Sequence, residues 1–291
     1  MSVKTPLMFA LVAALIVGTG IMQSWNTALL ILNMGLVSAV MALGVNLQWG
    51  IAGLFNVGVM GFVALGGLAV VLTAMPPVPD AWAAGGIRLL LGLVVCAASV
   101  VAAVLVWART RRAWAVAPVL IVGFVLYRLV FDPAKAGIEA VNPAQTGYLG
   151  GLGLPVVLAW PVGGLLAAGA AWIIGKTALG LRSDYLAIAT LGIAEIVIAV
   201  LKNEDWLARG VKNVIGLPRP VPYEIDLQND PAFVERAAGL GVDPAIASSV
   251  TVKLGYSLMF TAVLIALLVL AQLALNSPWG RMMRAIRDNE S

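Results

Sequence analysis

Long apolar runs separated by short polar connections set the pattern of this chain. Eight of them fall near the ~20 residues needed to cross the hydrocarbon core of a bilayer. They cover residues 7–22, 28–47, 57–75, 87–107, 114–131, 156–174, 186–201 and 254–275. The fold class this predicts is all-α: a polytopic transmembrane helical bundle of about eight spans, forming one domain over 1–291. Polar interruptions are few. Asn33, Ser38 and Asn46 lie in the second run, where an amide in lipid is costly, so Asn33 and Asn46 are expected to face other helices. Residues 50–71 are apolar but dense in glycine, with Gly50, Gly53, Gly58, Gly61, Gly66 and Gly67. Such density signals close helix packing or a broken segment beside a cavity. Residues 48–56 are read as a tight or partly re-entrant lead into the third span.

The connections differ in character. Residues 75–82 form a proline-rich loop, and 132–155 a polar, Gly/Pro-rich connection. Residues 202–253 are the longest polar stretch, with a short helix expected over 230–242. The last segment, 277–290, is basic and amphipathic. Ser277 suits a helix cap and Pro278 a first turn. Trp279, Met282, Met283 and Ile286 make one apolar stripe, and Arg281, Arg284 and Arg287 a second, cationic one. From the pattern alone this helix either lies on lipid headgroups or docks against a partner.

Composition agrees with a membrane protein: 61% hydrophobic and only 11% charged residues, against roughly 25% charged in soluble domains. The net charge of +4 is no nucleic-acid signature, because the basic residues sit at span ends. One cysteine, Cys96, excludes a disulfide framework, and no metal spacing appears. The absence of histidine removes the usual general base, and no phosphate-binding glycine loop or nucleophile elbow is present. Catalysis by this chain is therefore not expected, nor a cofactor or bound metal. Lys/Arg bias places the N-terminus in the cytoplasm: Lys4, Arg109, Arg111, Arg112, Lys176, Arg182, Arg281, Arg284 and Arg287 then share the inner side. The 202–253 loop is then expected on the outer side, which is the periplasm if the organism is Gram-negative.

Few residues carry chemistry. Glu195 lies about ten residues into the seventh span, ~15 Å along the helix and close to the midplane. A carboxylate there costs a few kcal/mol and must face a partner or a cavity. It is either a pathway residue or a carboxyl that locks two helices, with Gly192 beside it suggesting tight packing. Arg182, Ser183 and Asp184 stand at the cytoplasmic mouth of the same helix, as caps or as a gate. Asn46, Gln48 and Asn56 flank the glycine-rich segment, as path lining or as interhelical hydrogen bonds.

Three stretches resemble one family. LRSDYLAIATLGIAEIV over 181–197 is similar to the LRGDYLAIVTLGFGEI signature of LivM-type permease subunits of branched-chain amino-acid ABC transporters. SPWGRMMRAIRDNE over 277–290 resembles their SPFGRALRAIRDNE segment, and GLFNVGVMGFVALGG over 53–67 their GLLNLGHGAFFALGAY stretch. The matches come in the family's order. The resemblance implies an import permease for branched-chain or related amino acids. Its implied partners are a second permease subunit, two cytoplasmic ATP-binding subunits and a periplasmic substrate-binding protein, with ATP hydrolysed in the partners. It also implies that 277–290 is the coupling helix, with Ser277, Gly280, Arg281, Arg284, Arg287 and Asp288 as coupling positions. Asn46, Asn56, Gly58, Gly61, Asp184 and Glu195 are candidate pathway or helix-packing positions.

The chain departs from the family pattern in a longer region between Thr110 and Pro155 and a long loop between Pro218 and Lys253. Family members continue past the RDNE motif into further helices, so the resemblance implies more bundle than these 291 residues hold. The same family serves urea and short-chain amides, which leaves a different small solute open. An ion-coupled secondary transporter would need more intramembrane ionisable groups than Glu195. A non-transporting membrane scaffold fits the glycine-rich segment and the terminal helix less well.

Overall fold

A computed structural model describes residues 4–178 and 180–288, apart from the side chains of Ser183 and Asp184. In chain order the main helices are α1 (Lys4–Met22), α2 (Trp25–Val45), α3 (Val59–Ala74), α4 (Pro79–Thr110), α5 (Ala113–Ala140), α6 (Val156–Ala178) and α7 (Ser183–Asn203). They are followed by α8 (Pro231–Gly239), α9 (Pro244–Asn276) and α10 (Pro278–Asp288). Wider π-type turns extend α2 through Asn46–Ile51 and form Trp82–Gly86 within α4. Among the described residues there is no β-strand, only an isolated bridge between Pro77 and Gly150. The chain is an all-α polytopic membrane protein.

Seven of the described helices are long and apolar enough to cross a membrane: α1, Trp25–Ile51, α4, α5, α6, Tyr185–Asn203 of α7, and α9. The third expected span, 57–75, is the shorter helix α3. Its 16 residues give ~24 Å against a ~30 Å hydrocarbon core. The glycines ahead of it explain the shortening. Gly53 sits at φ 72°, a left-handed conformation that ends the preceding helix, and residues 53–57 stay non-helical.

The largest further differences from the expected bounds are in α4, α5 and α9. Helix α4 begins inside the expected proline-rich loop, with Pro79 in its first turn and Asp80 beside it, both favourable at a helix start. Helix α5 passes through Pro133 and runs to Ala140, well past the expected end at 131. Phe131, Ala134 and Ile138 recur at spacings of three and four and are all buried in one cluster with Ala81, Leu89 and Leu149. That apolar face outweighs the single backbone bond a proline removes. The ion pairs Arg128–Asp132 (2.7 Å) and Lys135–Glu139 (3.8 Å) add support one turn apart. Helix α9 starts at Pro244, before the expected 254, because the Asp243 carboxylate accepts from the Ala245 amide at 2.7 Å and Pro244 fills the first turn. The short helix expected over 230–242 is α8, capped by Asp230 onto the Ala232 amide at 3.0 Å.

The contacts divide the chain into two compact units, one of Met1–Val57, Leu181–Ile188 and Arg219–Ser291, the other of Gly58–Gly180 and Ala189–Pro218. In the first unit, Ser24 caps α2 through the Thr27 amide at 3.1 Å, and the Trp25 ring lies on Gly20. Helices α2 and α9 are joined by polar groups. Asn33 donates to the Lys253 carbonyl at 3.0 Å and accepts from the Ser257 hydroxyl at 2.8 Å. As expected, Asn33 faces another helix, where an amide satisfies itself instead of facing lipid.

In the second unit, small residues let helix backbones approach. A Cβ on Gly92 of α4 would lie 3.0 Å from the Phe131 Cβ of α5, and one on Gly163 of α6 3.4 Å from the Gly66 Cα of α3. The connection over 141–155 is not loose. Its amides cap the C-terminal carbonyls of α3, with Leu152 on Leu72 (3.1 Å), Leu154 on Thr73 (2.9 Å) and Gly153 on Met75 (2.9 Å). Buried Arg209 holds the same loop, donating to the Ala144 carbonyl and, at 3.0 Å, to that of Asn213.

The Asn33–Ser257 contact sets a stability test. A double-mutant cycle of Asn33→Ala and Ser257→Ala, followed by thermal melting in detergent, is expected to show a coupling of ~0.6–1.7 kcal/mol, the range for such bonds in membranes. Coupling indistinguishable from zero would mean that this pair does not hold α2 to α9.

Candidate functional site

Helix α10 is built onto α9 by a serine, a glycine and an arginine. The Ser277 backbone leaves the helical region (φ −82°, ψ 172°) and separates the two helices. Its hydroxyl donates to the Ala274 carbonyl at 2.6 Å and accepts from the Trp279 amide at 3.2 Å, ending one helix and starting the next. Gly280 is buried, and a Cβ there would collide with the Leu275 carbonyl. Arg284 spans the junction, with Nε on the Gly280 carbonyl (3.1 Å) and Nη2 on that of Leu275 (3.2 Å). It thereby satisfies a carbonyl at the C-terminus of α9. Arg287 pairs with Asp288 at 3.1 Å, and its stem lies over Gly53 in the irregular segment before α3.

The rest of α10 faces outward. Trp279, Met282 and Ile286 are 42%, 52% and 44% exposed, and Met283 is half-buried. Arg281 is exposed, and its guanidinium makes no hydrogen bond or ion pair with any described residue. The two expected stripes therefore serve two purposes. Ser277, Gly280, Arg284 and Arg287 fix the helix in place, and Arg281 with the apolar stripe is presented to the outside. Asn289 and Glu290, the end of the expected helix, lie outside the described residues.

The other candidates separate by environment. Asn56 donates to the Gln48 side chain at 2.8 Å, closing the irregular segment on itself. Asn46 is exposed, and its side chain folds over Gly50 of its own helix. The expectation that Asn46 faces another helix is corrected: a short amide one turn from a glycine finds room beside its own backbone. Gly58 and Gly61 face α7. A Cβ on Gly61 would meet the Cα and Cβ of Ala194 at 3.0 Å, and one on Gly58 would strike the Thr190 carbonyl. Both are close-packing positions.

Glu195, next to Ala194, is exposed in the middle of α7, and its carboxylate has no hydrogen-bond or ion-pair partner among the described residues. A Cβ on Gly192 would meet open space, so the tight packing expected there is displaced to Thr190 and Ala194. On α7 the apolar run ends at Lys202, two turns beyond Glu195 and therefore on the same side of the helix, ~10 Å further along. In the sequence Lys202 reads only as the start of a loop; its two-turn spacing from Glu195 is the signal that links them. The side chains of Ser183 and Asp184 lie outside what is described.

Past α7 a polar cluster closes the second unit. Glu204 accepts from Lys135 at 2.9 Å and from the Trp206 indole at 2.7 Å, and Asp205 pairs with Lys212 at 2.7 Å. Burial pushes the Tyr148 phenol above the ordinary tyrosine value, with the Arg209 guanidinium opposing the shift. Among the described residues, no group of three His, Cys, Asp or Glu side chains is placed to hold a metal.

A family described as "Branched-chain amino acid transport system / permease component" matches residues 27–291. Two curated relatives are similar over 158 residues, 53% of this chain and 36% of each relative. They are the high-affinity branched-chain amino acid transport system permease proteins LivM of Escherichia coli K12, 33% identical, and of Salmonella typhimurium LT2, 32% identical. The match thus spans about a third of the length of these relatives. No solved structure matches.

The α3–α7 approach is testable by substitution. Gly61→Val is expected to destabilise the protein by ~1–3 kcal/mol through overpacking, and Ala194→Gly in the same chain to restore part of the loss. Thermal melting in detergent reads both; a Gly61→Val protein that melts like wild type would mean the contact is slack.

Proposed function

The chain belongs to the branched-chain amino acid permease family, and from that premise we propose that it is a substrate-translocating subunit of an ATP-driven importer of branched-chain or related amino acids. It pairs with a second permease subunit, receives substrate from a periplasmic binding protein, and is driven by two cytoplasmic ATP-binding subunits. It sits in the bacterial inner membrane with the N-terminus in the cytoplasm. Counting α3 and its irregular lead as one crossing brings Arg109, Arg111, Arg112, Lys176, Arg182 and the arginines of α10 to the same side, as the positive-inside rule requires.

The observation that carries the reading is α10. An amphipathic helix with Trp279, Met282 and Ile286 uncovered is suited to a groove in a partner. Lipid would accept those side chains too. The junction favours a partner: Ser277, Gly280, Arg284 and Arg287 tie α10 to α9 and to the segment before α3, so a push on α10 is passed to the membrane helices. A lipid anchor needs no such rigidity. Glu195 supports the transport role. A carboxylate exposed near the middle of an apolar helix is stable only against a cavity or a polar partner chain, which suits a path shared with a second permease.

Two substitutions test these roles in the assembled transporter. Arg281→Glu is expected to weaken copurification of the ATP-binding subunits by ~10-fold or more, about 1.4 kcal/mol, while the melting temperature of the chain stays unchanged. Normal copurification of that variant would sink docking through α10. Glu195→Gln is expected to slow amino-acid uptake several-fold with assembly intact, and Glu195→Ala to slow it further. Normal uptake by both would remove Glu195 from the path.

A further inference from the structure

Helices α3 and α7 leave between them, within the second unit, a cavity of about 170 Å³. Gly67, Leu68 and Val71 of α3 and Ile198 and Leu201 of α7 line it, and Lys202 stands at its edge. At ~30 Å³ per water it holds about five waters, the space of one branched aliphatic side chain. A Cβ on Gly67 would meet no other atom, so the glycine is what keeps this wall of the cavity open.

The charges around it are unevenly used. Glu204 and Asp205, the carboxylates that follow α7, are already paired with Lys135 and Lys212. Lys202 makes no ion pair and no side-chain hydrogen bond with any described residue. Beside it, α7 ends, and the Leu201 and Lys202 carbonyls accept no described backbone amide. The mouth of an apolar pocket thus carries a lysine without an ion-pair partner among the described residues and, beside it, carbonyl oxygens at the negative end of a helix that accept no described backbone amide. Gly210, at φ 53°, lets the returning chain pass the Lys202 carbonyl without filling the mouth.

We infer that this cavity is a subsite for an aliphatic α-amino acid zwitterion, with its carboxylate on the Lys202 ammonium, its ammonium on the terminal carbonyls of α7 and its side chain between Leu68, Val71, Ile198 and Leu201. The inference rests on the transport reading and narrows it. A neutral solute such as urea or an amide gains nothing from Lys202, whereas an amino acid uses both charges and the apolar wall. Glu195, ~10 Å away along the same stripe of α7, is the next polar group a substrate would meet.

The test is site-specific protection in the complete transporter, reconstituted in lipid nanodiscs. Cys96 is first replaced by serine, because it is an exposed free thiol. Gly67→Cys then places a thiol in the cavity wall, where the structure has room for it. Labelling of the introduced thiol by a maleimide is expected to slow at least ~3-fold in about 10 mM leucine, a concentration above a millimolar Kd. Leucinamide, lacking the carboxylate, and 4-methylpentanoate, lacking the ammonium, are expected to protect far less. Lys202→Ala should abolish protection by leucine, and Lys202→Arg should retain it.

A labelling rate that leucine leaves unchanged overturns the subsite. So does protection by added phosphatidylglycerol alone, which would make the cavity a lipid site. Equal protection by leucine and leucinamide overturns the role of Lys202. Uptake of leucine by the unmodified transporter is measured in parallel and reads the parent proposal separately. Uptake without protection fails the subsite and leaves the importer standing; protection without uptake keeps the subsite and fails the importer.

Discussion

The close approach of Gly58 and Gly61 to Thr190 and Ala194 is the contact that sets how α3 packs on α7 in the second unit. Hydrocarbon offers no hydrophobic drive to bring two helices together, so contact must come from backbones that fit. Two glycines one turn apart provide that fit near the start of α3. Further along, Gly67 and the larger Leu68, Val71, Ile198 and Leu201 take over, and the helices leave a cavity between them. One end of the pair is closed by glycine and the other held open by it. The stripe of α7 beside this contact carries Glu195 and Lys202 because an α-helix turns ~3.6 residues at a time: Ala194 faces inward and its neighbour Glu195 does not.

The irregular backbone before α3 obeys the same constraint. Every amide in a bilayer needs a partner inside the protein, and here the break is small and locally closed. Gln48 and Asn56 bond to each other, Gly53 turns the chain, and the stem of Arg287 lies over that glycine. Helix α10 is therefore tied to the point where the membrane helices are least regular.

Much of this was legible in the sequence. Apolar run length identifies membrane helices because the bilayer imposes the length, and Trp279, Met282 and Ile286 sort onto one face by spacing alone. Asn33 was readable as an interhelical group because no other fate suits an amide in lipid. Helix ends were less legible, since polar residues mark the edge of a bilayer and not the end of a helix. Helix α5 continues through Asp132, Pro133 and Lys135 because Phe131, Ala134 and Ile138 bury a face against Ala81 and Leu89, a tertiary reason invisible in a hydropathy run. Gly192 and Asn46 misled for a related cause. A glycine or an amide states that close contact is allowed without saying which neighbour makes it.

The arginines of α10 show why spacing underdetermines role. Arg281, Arg284 and Arg287 stand three residues apart and look equivalent as a cationic stripe. The structure separates them: Arg284 holds the Leu275 and Gly280 carbonyls, Arg287 leans on Gly53, and the Arg281 guanidinium makes no hydrogen bond or ion pair with a described residue. An arginine has five donors in a fixed fork, and the chain directs it to whichever carbonyls a helix end leaves exposed. The helix end that needs capping lies N-terminal to α10, so the side chain that reaches back over the first turn is committed to structure. The one that points away makes no hydrogen bond or ion pair with a described residue. A basic stripe on a helix that follows a sharp break is in this way divided between arginines that hold the junction and one left exposed, and the division follows from where the preceding helix stops.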